Sequence, residues 1–192
     1  TAPSNVTIAA LDADGTPASS SSIAIFLQGA TASDNVDAVV SVTSDAPATF
    51  PLGSTVVTFS ASDLAGNSGS ATAIITVTDQ TGPDVTLPDV ITVAADNADG
   101  TPAANELIAA FLDGASASDN VDGMVSVTNN APATFPLGET AVVFTATDEA
   151  GNTGSETALI TVTDQTAPVI SVAQTFSVLG EADGVAATEA SI

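Results

Sequence analysis

Ser33-Asp34-Asn35-Val36-Asp37 occurs a second time in the chain, letter for letter, as Ser118-Asp119-Asn120-Val121-Asp122. Two further signals follow each copy: Phe-Pro-Leu-Gly at residues 50–53 and 135–138, and Asp-x-Ala-Gly-Asn at residues 63–67 and 148–152. All three signals recur at the same offset of 85 residues. A constant offset indicates one structural unit repeated in tandem, and this unit has the size of a small domain.

The repeats divide the chain into three parts. Residues 1–80 form the first copy (repeat 1), residues 81–165 the second (repeat 2), and residues 166–192 start a third that is too short to bury a core. Repeat 2 has a lead-in, Thr81-Gly82-Pro83-Asp84-Val85-Thr86-Leu87, which repeat 1 lacks. We therefore interpret Thr1 as a cut or processed end, and residues 166–192 as a truncated repeat or a donor strand.

The composition narrows the function before any motif does. The chain contains no Lys, Arg, His, Cys, Trp or Tyr, and its formal net charge is −23. Catalysis near neutral pH draws mostly on His, Lys or Cys, or on Ser beside a base. A glycosidase that uses two carboxylates is the one enzyme class whose mechanism needs none of the missing residues. The Trp and Tyr side chains that commonly pack on sugars are absent, however. We expect no enzyme.

The same charge restricts the partners. No side chain is available to neutralise a phosphate, so we expect no nucleic acid. An anionic membrane surface would repel the chain, and no apolar run approaches the ~20 residues that span a bilayer. We therefore expect no direct membrane insertion, and no signal peptide is visible at Thr1.

Apolar residues alternate with period two between the turn signals. Hydrophobic residues make up 44% of the chain and charged ones 12%, which indicates a folded protein and not an acidic disordered tail. Val57, Phe59 and Ala61 form one strand face, and the Gly-Asn turn at residues 66–67 joins this strand to the next as a hairpin. Further strands are predicted at residues 6–10 and 90–95, around Val40 and Val42, and around Val125 and Val127.

Two apolar runs, at residues 23–27 and 107–112, fit either a buried strand or a helical turn. Their length and the period-two pattern that follows them favour strands, so we expect no helix. Six or seven short strands at spacings of about 8 to 12 residues predict a β-sandwich in each repeat.

The ordered signals carry a family resemblance. Asp-Asn in the loop, Phe-Pro-Leu-Gly, Asp-x-Ala-Gly-Asn and a closing Thr-Val-Thr-Asp before Thr-x-Pro resemble the hyalin-repeat (HYR) domain over residues 1–165. The resemblance implies an all-β fold of tandem immunoglobulin-like β-sandwiches on an extracellular, cell-surface protein. Many members carry cysteines where this chain has Leu87, Val36 and Val121, so their disulfide is absent. Cysteine-free members are similar to the repeats of large bacterial surface adhesins, which implies a stalk or spacer.

Oxygen side chains supply the remaining chemistry. Calcium takes six to eight oxygen ligands, and in an immunoglobulin-like sandwich the loops at residues 118–123 and 148–152 would face the linker from the preceding domain. Carboxylates gathered there without a cation would repel one another, which favours calcium. The candidate Ca²⁺ ligands are Asp34, Asn35, Asp37, Asp63, Asp79, Asp84, Asp119, Asn120, Asp122, Asp148 and Asp164.

A simpler interpretation stands beside calcium binding. Asp and Asn are ordinary turn residues, and Asp63 or Asp148 alone could cap the Gly-Asn hairpin. The acidic turns that contain Asp12, Asp14, Asp96 and Asp99 are predicted at the opposite pole, where solvation is the expected state.

These observations predict a structural protein. Calcium would stiffen tandem repeats into an extracellular stalk, whose partners are neighbouring repeats of the same protein; the sequence names no adhesive target. The alternative is a subunit of a non-covalent filament assembled from other copies by β-strand donation, because repeat 1 lacks the lead-in strand that residues 168–172 offer in surplus. A sugar-binding module is disfavoured by the missing Trp and Tyr.

Overall fold

The computed structural model describes residues 1–172 of the 192-residue chain. The strand predicted for the third copy at residues 176–178 and the acidic turn at residues 181–184 lie outside the described residues. Residues 168–172, predicted as a surplus strand, are described and are not assigned to a strand in this single chain.

Repeat 1 is built from six strands and one short helix. In chain order these are β1 (Val6–Ala9), β2 (Thr16–Pro17), α1 (Ser21–Gln28), β3 (Val42–Ser44), β4 (Thr49–Phe50), β5 (Gly53–Ser62) and β6 (Ser68–Thr78). The main sheet has the order β1-β6-β5-β3, in which β1 is parallel to β6 and the other pairs are antiparallel. A second, two-stranded sheet pairs β2 with β4.

Repeat 2 repeats this plan and adds a third sheet. Its elements are β7 (Asp84–Thr86), β8 (Thr92–Ala94), β9 (Thr101–Pro102), α2 (Glu106–Asp113), β10 (Ser116–Asp119), β11 (Gly123–Val125), β12 (Val127–Asn129), β13 (Thr134–Phe135), β14 (Gly138–Thr147) and β15 (Thr153–Thr163). The main sheet is β12-β14-β15-β8, and β13 pairs with β9. The lead-in strand β7 forms a three-stranded sheet with β10 and β11.

The long hairpins confirm the period-two pattern. In β5, Val57 is fully buried and Phe59 is nearly so, while Val56 before them and Ser60 after them are exposed. Ile75 and Val77 of β6 face the same core, and β14 with β15 repeats the arrangement. Each repeat therefore has its own hydrophobic core, and the protein consists of mainly β, immunoglobulin-like, sandwich-forming repeats with one short helix each.

The expectation of no helix is wrong. The runs predicted as strands at residues 23–27 and 107–112 lie in α1 and α2. The buried side chains are Ile23 and Phe26 in α1, three residues apart, whereas Ile25 is 73% exposed. A strand would place Ile23 and Ile25 on the same face, and a helix separates them. Phe26 reaches Phe59 of the sheet, with ring centroids 6.0 Å apart.

The strand faces predicted around Val40 and Val125 are also only partly right. Val42 begins β3, but Val40 precedes that strand. Val125 ends β11 and Val127 begins β12, so Ser126 marks a change of sheet. The reason is the lead-in, because β11 follows β10 and β7 into the third sheet of repeat 2.

Candidate metal centre

The loop after β10 is held in shape by its own aspartates. The Asp119 Oδ1 atom accepts hydrogen bonds from the backbone N–H groups of Val121 and Asp122, at 2.7 and 3.1 Å. The Asp122 Oδ2 atom accepts one from the N–H of Glu149 at 2.8 Å. The Asp119 bonds close the loop, and the Asp122 bond ties it to the turn between β14 and β15.

That turn is closed by Asp148. Its Oδ1 atom accepts from the backbone N–H of Asn152 at 2.7 Å, and its Oδ2 atom from the Asn152 side-chain amide at 2.9 Å. Gly151, with φ of 90°, supplies the left-handed residue that the turn requires. Asp148 is therefore a hairpin cap and, at 7% exposed, also the most buried carboxylate described.

The linker brings a further carboxylate to the same place. Asp79 follows directly after β6, and its Oδ1 atom accepts from the N–H of Thr81 at 3.1 Å. One oxygen of each of Asp79, Asp119, Asp122 and Asp148 lies within 4.8 Å of the others. We call these four residues the junction cluster.

The junction cluster fits a calcium ion. Two ligands on opposite sides of Ca²⁺, each at about 2.4 Å, are separated by about 4.8 Å, and the four oxygens all lie within 4.8 Å of one another, so they are close enough to contact one ion. The Oδ2 atoms of Asp79 and Asp119 are buried and have no hydrogen-bond partner among the described residues. Buried charged oxygens without a partner are costly, and the sequence contains no Lys, Arg or His to neutralise them.

Repeat 1 carries the same loop and the same turn. The Asp34 Oδ1 atom accepts from the N–H groups of Val36 and Asp37, and the Asp37 Oδ2 atom from the N–H of Leu64. Asp34, Asp37 and Asp63 bring their oxygens within 4.8 Å of one another. We call these three the first-repeat cluster; it is more exposed than the junction cluster.

Hydrogen bonds lower the pKa of two members of the first-repeat cluster. The N–H groups of Asp37 and Val36 hold the pKa of Asp34 below its ordinary value of 3.8, against a smaller opposing effect of burial. The Asn67 side-chain amide does most to lower the pKa of Asp63. These hydrogen bonds therefore stabilise both side chains in the charged carboxylate form.

Four predicted ligands lie outside these clusters. Asp84 is exposed on β7, and Asn35 is exposed in the loop of repeat 1. Asp164 follows β15 in the way that Asp79 follows β6; its Oδ1 atom accepts from the N–H of Thr166 at 3.0 Å, and this hydrogen bond lowers its pKa. Asn120 contacts the neighbouring repeat.

Asn120 has a role that the sequence did not reveal. Its side-chain amide donates to the carbonyl oxygens of Ala10 and Leu11 in repeat 1, both at 3.2 Å, and its Oδ1 atom accepts from the Thr81 hydroxyl. Val121 beside it packs against the core of repeat 1. One feature of the sequence is an indication of this contact with repeat 1: Val121 is an apolar residue in an acidic loop, between Asn120 and Asp122.

In the two acidic turns, at residues 12–15 and 96–100, side-chain oxygens accept hydrogen bonds from within the turn. The Asp12 Oδ1 atom accepts from the N–H of Asp14 at 2.9 Å, and the Asn97 Oδ1 atom from the N–H of Asp99 at 2.8 Å. Their carboxylates are exposed. The solvation of these carboxylates stays a prediction.

Comparisons with known proteins agree with the repeat pattern. The HYR domain family matches residues 1–77 and 79–163. Hyalin from Lytechinus variegatus is 37% identical over 164 residues, and hyalin from Strongylocentrotus purpuratus is 35% identical over 166 residues. The matches cover 81% and 82% of this chain, but the chain spans only 30% and 13% of these two curated relatives.

A solved structure also resembles the chain. The structure is described as a protocadherin gammaB7 EC3-6 cis-dimer, has 15% sequence identity and a TM-score of 0.34, and is matched over 85% of this chain and 46% of its own. Separately, none of the helices within residues 1–172 has the length and apolar character needed to cross a membrane.

Proposed function

Because the chain belongs to the HYR domain family, we propose that it is a calcium-stiffened stalk or spacer of an extracellular surface adhesin. HYR domains form a non-enzymatic, adhesion-type family of extracellular proteins, which supports a structural role outside the cell. The likeness to bacterial adhesins remains a prediction, since both curated relatives are hyalins.

The observation that carries the proposal is the pair of buried, unpartnered oxygens in the junction cluster. Asp79 Oδ2 comes from the linker, and Asp119 Oδ2 comes from the loop of repeat 2. One oxygen of each cluster residue lies within 4.8 Å of the others, and carboxylates this close repel in a partly buried site unless a cation lies between them. Four carboxylates supply several oxygen ligands, as calcium requires with its six to eight.

Each carboxylate would hold the ion while keeping its structural bond. Asp79 belongs to the linker, Asp119 and Asp122 to the loop after β10, and Asp148 to the β14–β15 turn. Calcium supplies the positive charge that offsets the mutual repulsion of these groups. Because the ligands come from three segments, binding there would restrict the linker relative to repeat 2, and so restrict the angle between the repeats.

Thermal unfolding with and without calcium tests the proposal. A ligand that binds only the folded state stabilises it by about 2.7 kcal/mol at a hundredfold excess over Kd, and extracellular calcium modules bind at about 10⁻⁴ to 10⁻³ M. We therefore expect millimolar calcium to raise the Tm relative to a chelator at matched ionic strength. Equal melting temperatures in the two buffers would refute the calcium site.

A matched pair of variants locates the effect. Asp79→Asn removes one charge from the junction cluster, whereas Asp84→Asn removes one charge from the exposed face of β7, five residues along the chain. We expect Asp79→Asn to lose most of the calcium-dependent rise in Tm and Asp84→Asn to keep it. Equal losses in both variants would indicate a general effect of net charge.

A subunit of a non-covalent extracellular filament is the second candidate function. The observation that favours it is the pairing of β7 with β10, which buries Val85 of the short lead-in in the core of repeat 2. Strand donation between copies would use the same kind of pairing.

A further inference from the structure

We propose that Asn120 and Val121 form a latch that docks repeat 2 on the end of repeat 1, and that a closed latch and an ion in the junction cluster favour each other. The latch selects one orientation of the two repeats. The ion part of this inference rests on the proposed calcium-binding function, and it adds the contact through which the ion acts on the angle between the repeats. The latch itself rests on contacts that need no ion.

The junction cluster has no ligand from the folded body of repeat 1. Asp119, Asp122 and Asp148 belong to repeat 2, and Asp79 is joined to repeat 1 through the backbone that leaves β6 at Thr78. A connection of this kind still allows rotation about its φ and ψ angles. An ion in the cluster therefore holds the linker on repeat 2, and the orientation of repeat 1 depends on a further contact.

Asn120 makes that contact through hydrogen bonds. Its side-chain amide donates to the carbonyl oxygens of Ala10 and Leu11, both at 3.2 Å. The N–H groups of these two residues are used inside repeat 1, where Ala10 donates to Thr78 and Leu11 donates to Gly15. The two carbonyl groups are thus held in place by repeat 1. Because one amide group contacts two neighbouring carbonyl oxygens, the contact depends on the direction of approach as well as on distance.

Val121 adds an apolar contact at the same place. Its side chain is partly buried, and it packs against the hydrophobic core of repeat 1 although it belongs to repeat 2. The removal of apolar surface from water is favourable but has no preferred direction. Val121 therefore stabilises the docked state, and the hydrogen bonds of Asn120 define its geometry.

The latch shares hydrogen bonds with two of the candidate ion ligands. The Asp119 Oδ1 atom accepts from the N–H of Val121 at 2.7 Å, which fixes the loop that carries the latch. The Asn120 Oδ1 atom accepts from the hydroxyl of Thr81, and the N–H of Thr81 donates to the Asp79 Oδ1 atom at 3.1 Å. A continuous path of bonds therefore joins the junction cluster to repeat 1.

This path predicts positive coupling between the ion and the latch. An ion that holds Asp79 and Asp119 orders the linker and the loop, so the latch closes at a smaller cost in conformational entropy. By linkage, the closed latch raises the affinity of the cluster for the ion by the same factor, which for coupled sites is typically about fivefold or more. Without an ion the latch opens and closes, and with an ion it stays closed.

Distances between two spin labels, one in each repeat, test the latch. Thr72 in β6 and Thr157 in β15 are exposed and stand 85 residues apart at equivalent positions. The chain contains no Cys, so Thr72→Cys and Thr157→Cys create two unique labelling sites. In chelator we expect a peak at the distance that the structure gives for these sites, above a broad background. In calcium we expect that peak alone.

Variants of the two latch residues should change these distances. Asn120→Ala and Val121→Ala should each remove most of the peak in chelator and leave a broader distribution in calcium. Val36→Ala is the matched control, because Val36 occupies the position of Val121 in the loop of repeat 1. Asn120 is exposed, so its replacement should leave the circular dichroism spectrum unchanged.

Two outcomes in chelator would overturn the latch. The first is a wild-type distribution without a peak at the distance that the structure gives. The second is an Asn120→Ala chain and a Val121→Ala chain that both keep the wild-type distribution. A Val36→Ala chain that loses the peak as completely as Val121→Ala would also contradict the latch, since Val36 takes no part in the contact with repeat 2.

Calcium titration of the same chains tests the coupling. Asn120→Ala should bind calcium about fivefold or more weakly than the wild type, and saturating calcium should still raise its Tm because the four carboxylates remain. Equal calcium affinities in the two chains would overturn the coupling. If the wild type binds no calcium, the proposed function and the coupling both fail, while the distances in chelator still decide the latch. The two failures are therefore distinguishable.

Discussion

Asp119 uses its two oxygens for two purposes. Its Oδ1 atom accepts two backbone N–H groups and shapes the loop, while its buried Oδ2 atom lacks a partner within residues 1–172. Asn at position 119 keeps a side-chain oxygen that can accept the loop hydrogen bonds but carries no charge. Ala has neither the oxygen nor the charge. Asn and Ala substitutions therefore separate the structural role of Asp119 from calcium binding.

This separation leads to the first prediction. In chelator, Asp119→Ala should lower the free energy of unfolding by about 1 to 3 kcal/mol through the lost hydrogen bonds to a charged group. Asp119→Asn should lose less than that, and both variants should lose the calcium response. Urea unfolding in both buffers measures this. A full calcium response in Asp119→Asn would contradict the assignment of this carboxylate as a ligand.

The second prediction concerns acid. The pKa of Asp63 is lowered in the folded protein, mainly by the Asn67 side chain. Because the pKa of Asp63 is lower in the folded protein, its carboxylate stabilises the folded state at pH values above the ordinary pKa of 3.8. This contribution is lost as the pH falls through the pKa of the folded state. In chelator, wild-type stability should therefore fall more between about pH 5 and pH 2 than that of Asp63→Asn.

The comparison with the variant cancels the general effect of protonating the other carboxylates. Urea unfolding at a series of pH values gives the two curves. If they run parallel through this range, Asp63 does not gain from its bond to Asn67.

The two helices differ in how their N-termini are capped. Asn105 caps α2, and its side-chain oxygen accepts from the N–H of Leu107 at 3.1 Å, whereas Ser20 at the start of α1 makes no such bond. Asn105→Ala should therefore destabilise repeat 2 by about 1 kcal/mol. Ser20→Ala should have a much smaller effect on repeat 1. If calorimetry gives equal decreases in stability for the two variants, the side-chain hydrogen bond of Asn105 does not stabilise α2.

Strands were easier to predict than helices for a physical reason. The strands β5 and β14 have 10 residues each, so alternation is visible over five pairs of positions. The helices have only 8 residues, and their apolar runs satisfy both periods. The decisive fact was the exposure of Ile25, which depends on the sheet that packs against α1 and is not visible in the sequence.

The grouping of the acidic residues followed from the repeat and the expected loop positions. Five carboxylates were predicted to converge at the junction, and the structure brings four of them together: Asp79, Asp119, Asp122 and Asp148. The contacts of Asn120 and Val121 with repeat 1 were not predictable, because they depend on how one repeat lies against the other. Asp84 is the fifth predicted carboxylate, and it lies exposed on the paired strand β7, outside the cluster.

On the scale of the whole molecule, net charge and specific binding have different consequences. A formal charge of −23 without any Lys, Arg or His disfavours compact arrangements at low salt. In 1 M salt the Debye length is about 3 Å, so this repulsion is largely screened. Salt alone would leave the two repeats joined by the linker and the Asn120 contact. Calcium at the junction cluster would fix the linker to repeat 2.

Small-angle X-ray scattering of the two-repeat chain, in calcium and in chelator at matched ionic strength, tests this claim most directly. We predict a single extended conformation in millimolar calcium and a broader set of conformations in chelator. Asp79→Asn should show the broader set in both buffers, and Asp84→Asn should behave like the wild type. The protein should be measured at concentrations where it is monomeric. Identical wild-type profiles in calcium and chelator would contradict the calcium-stiffened stalk.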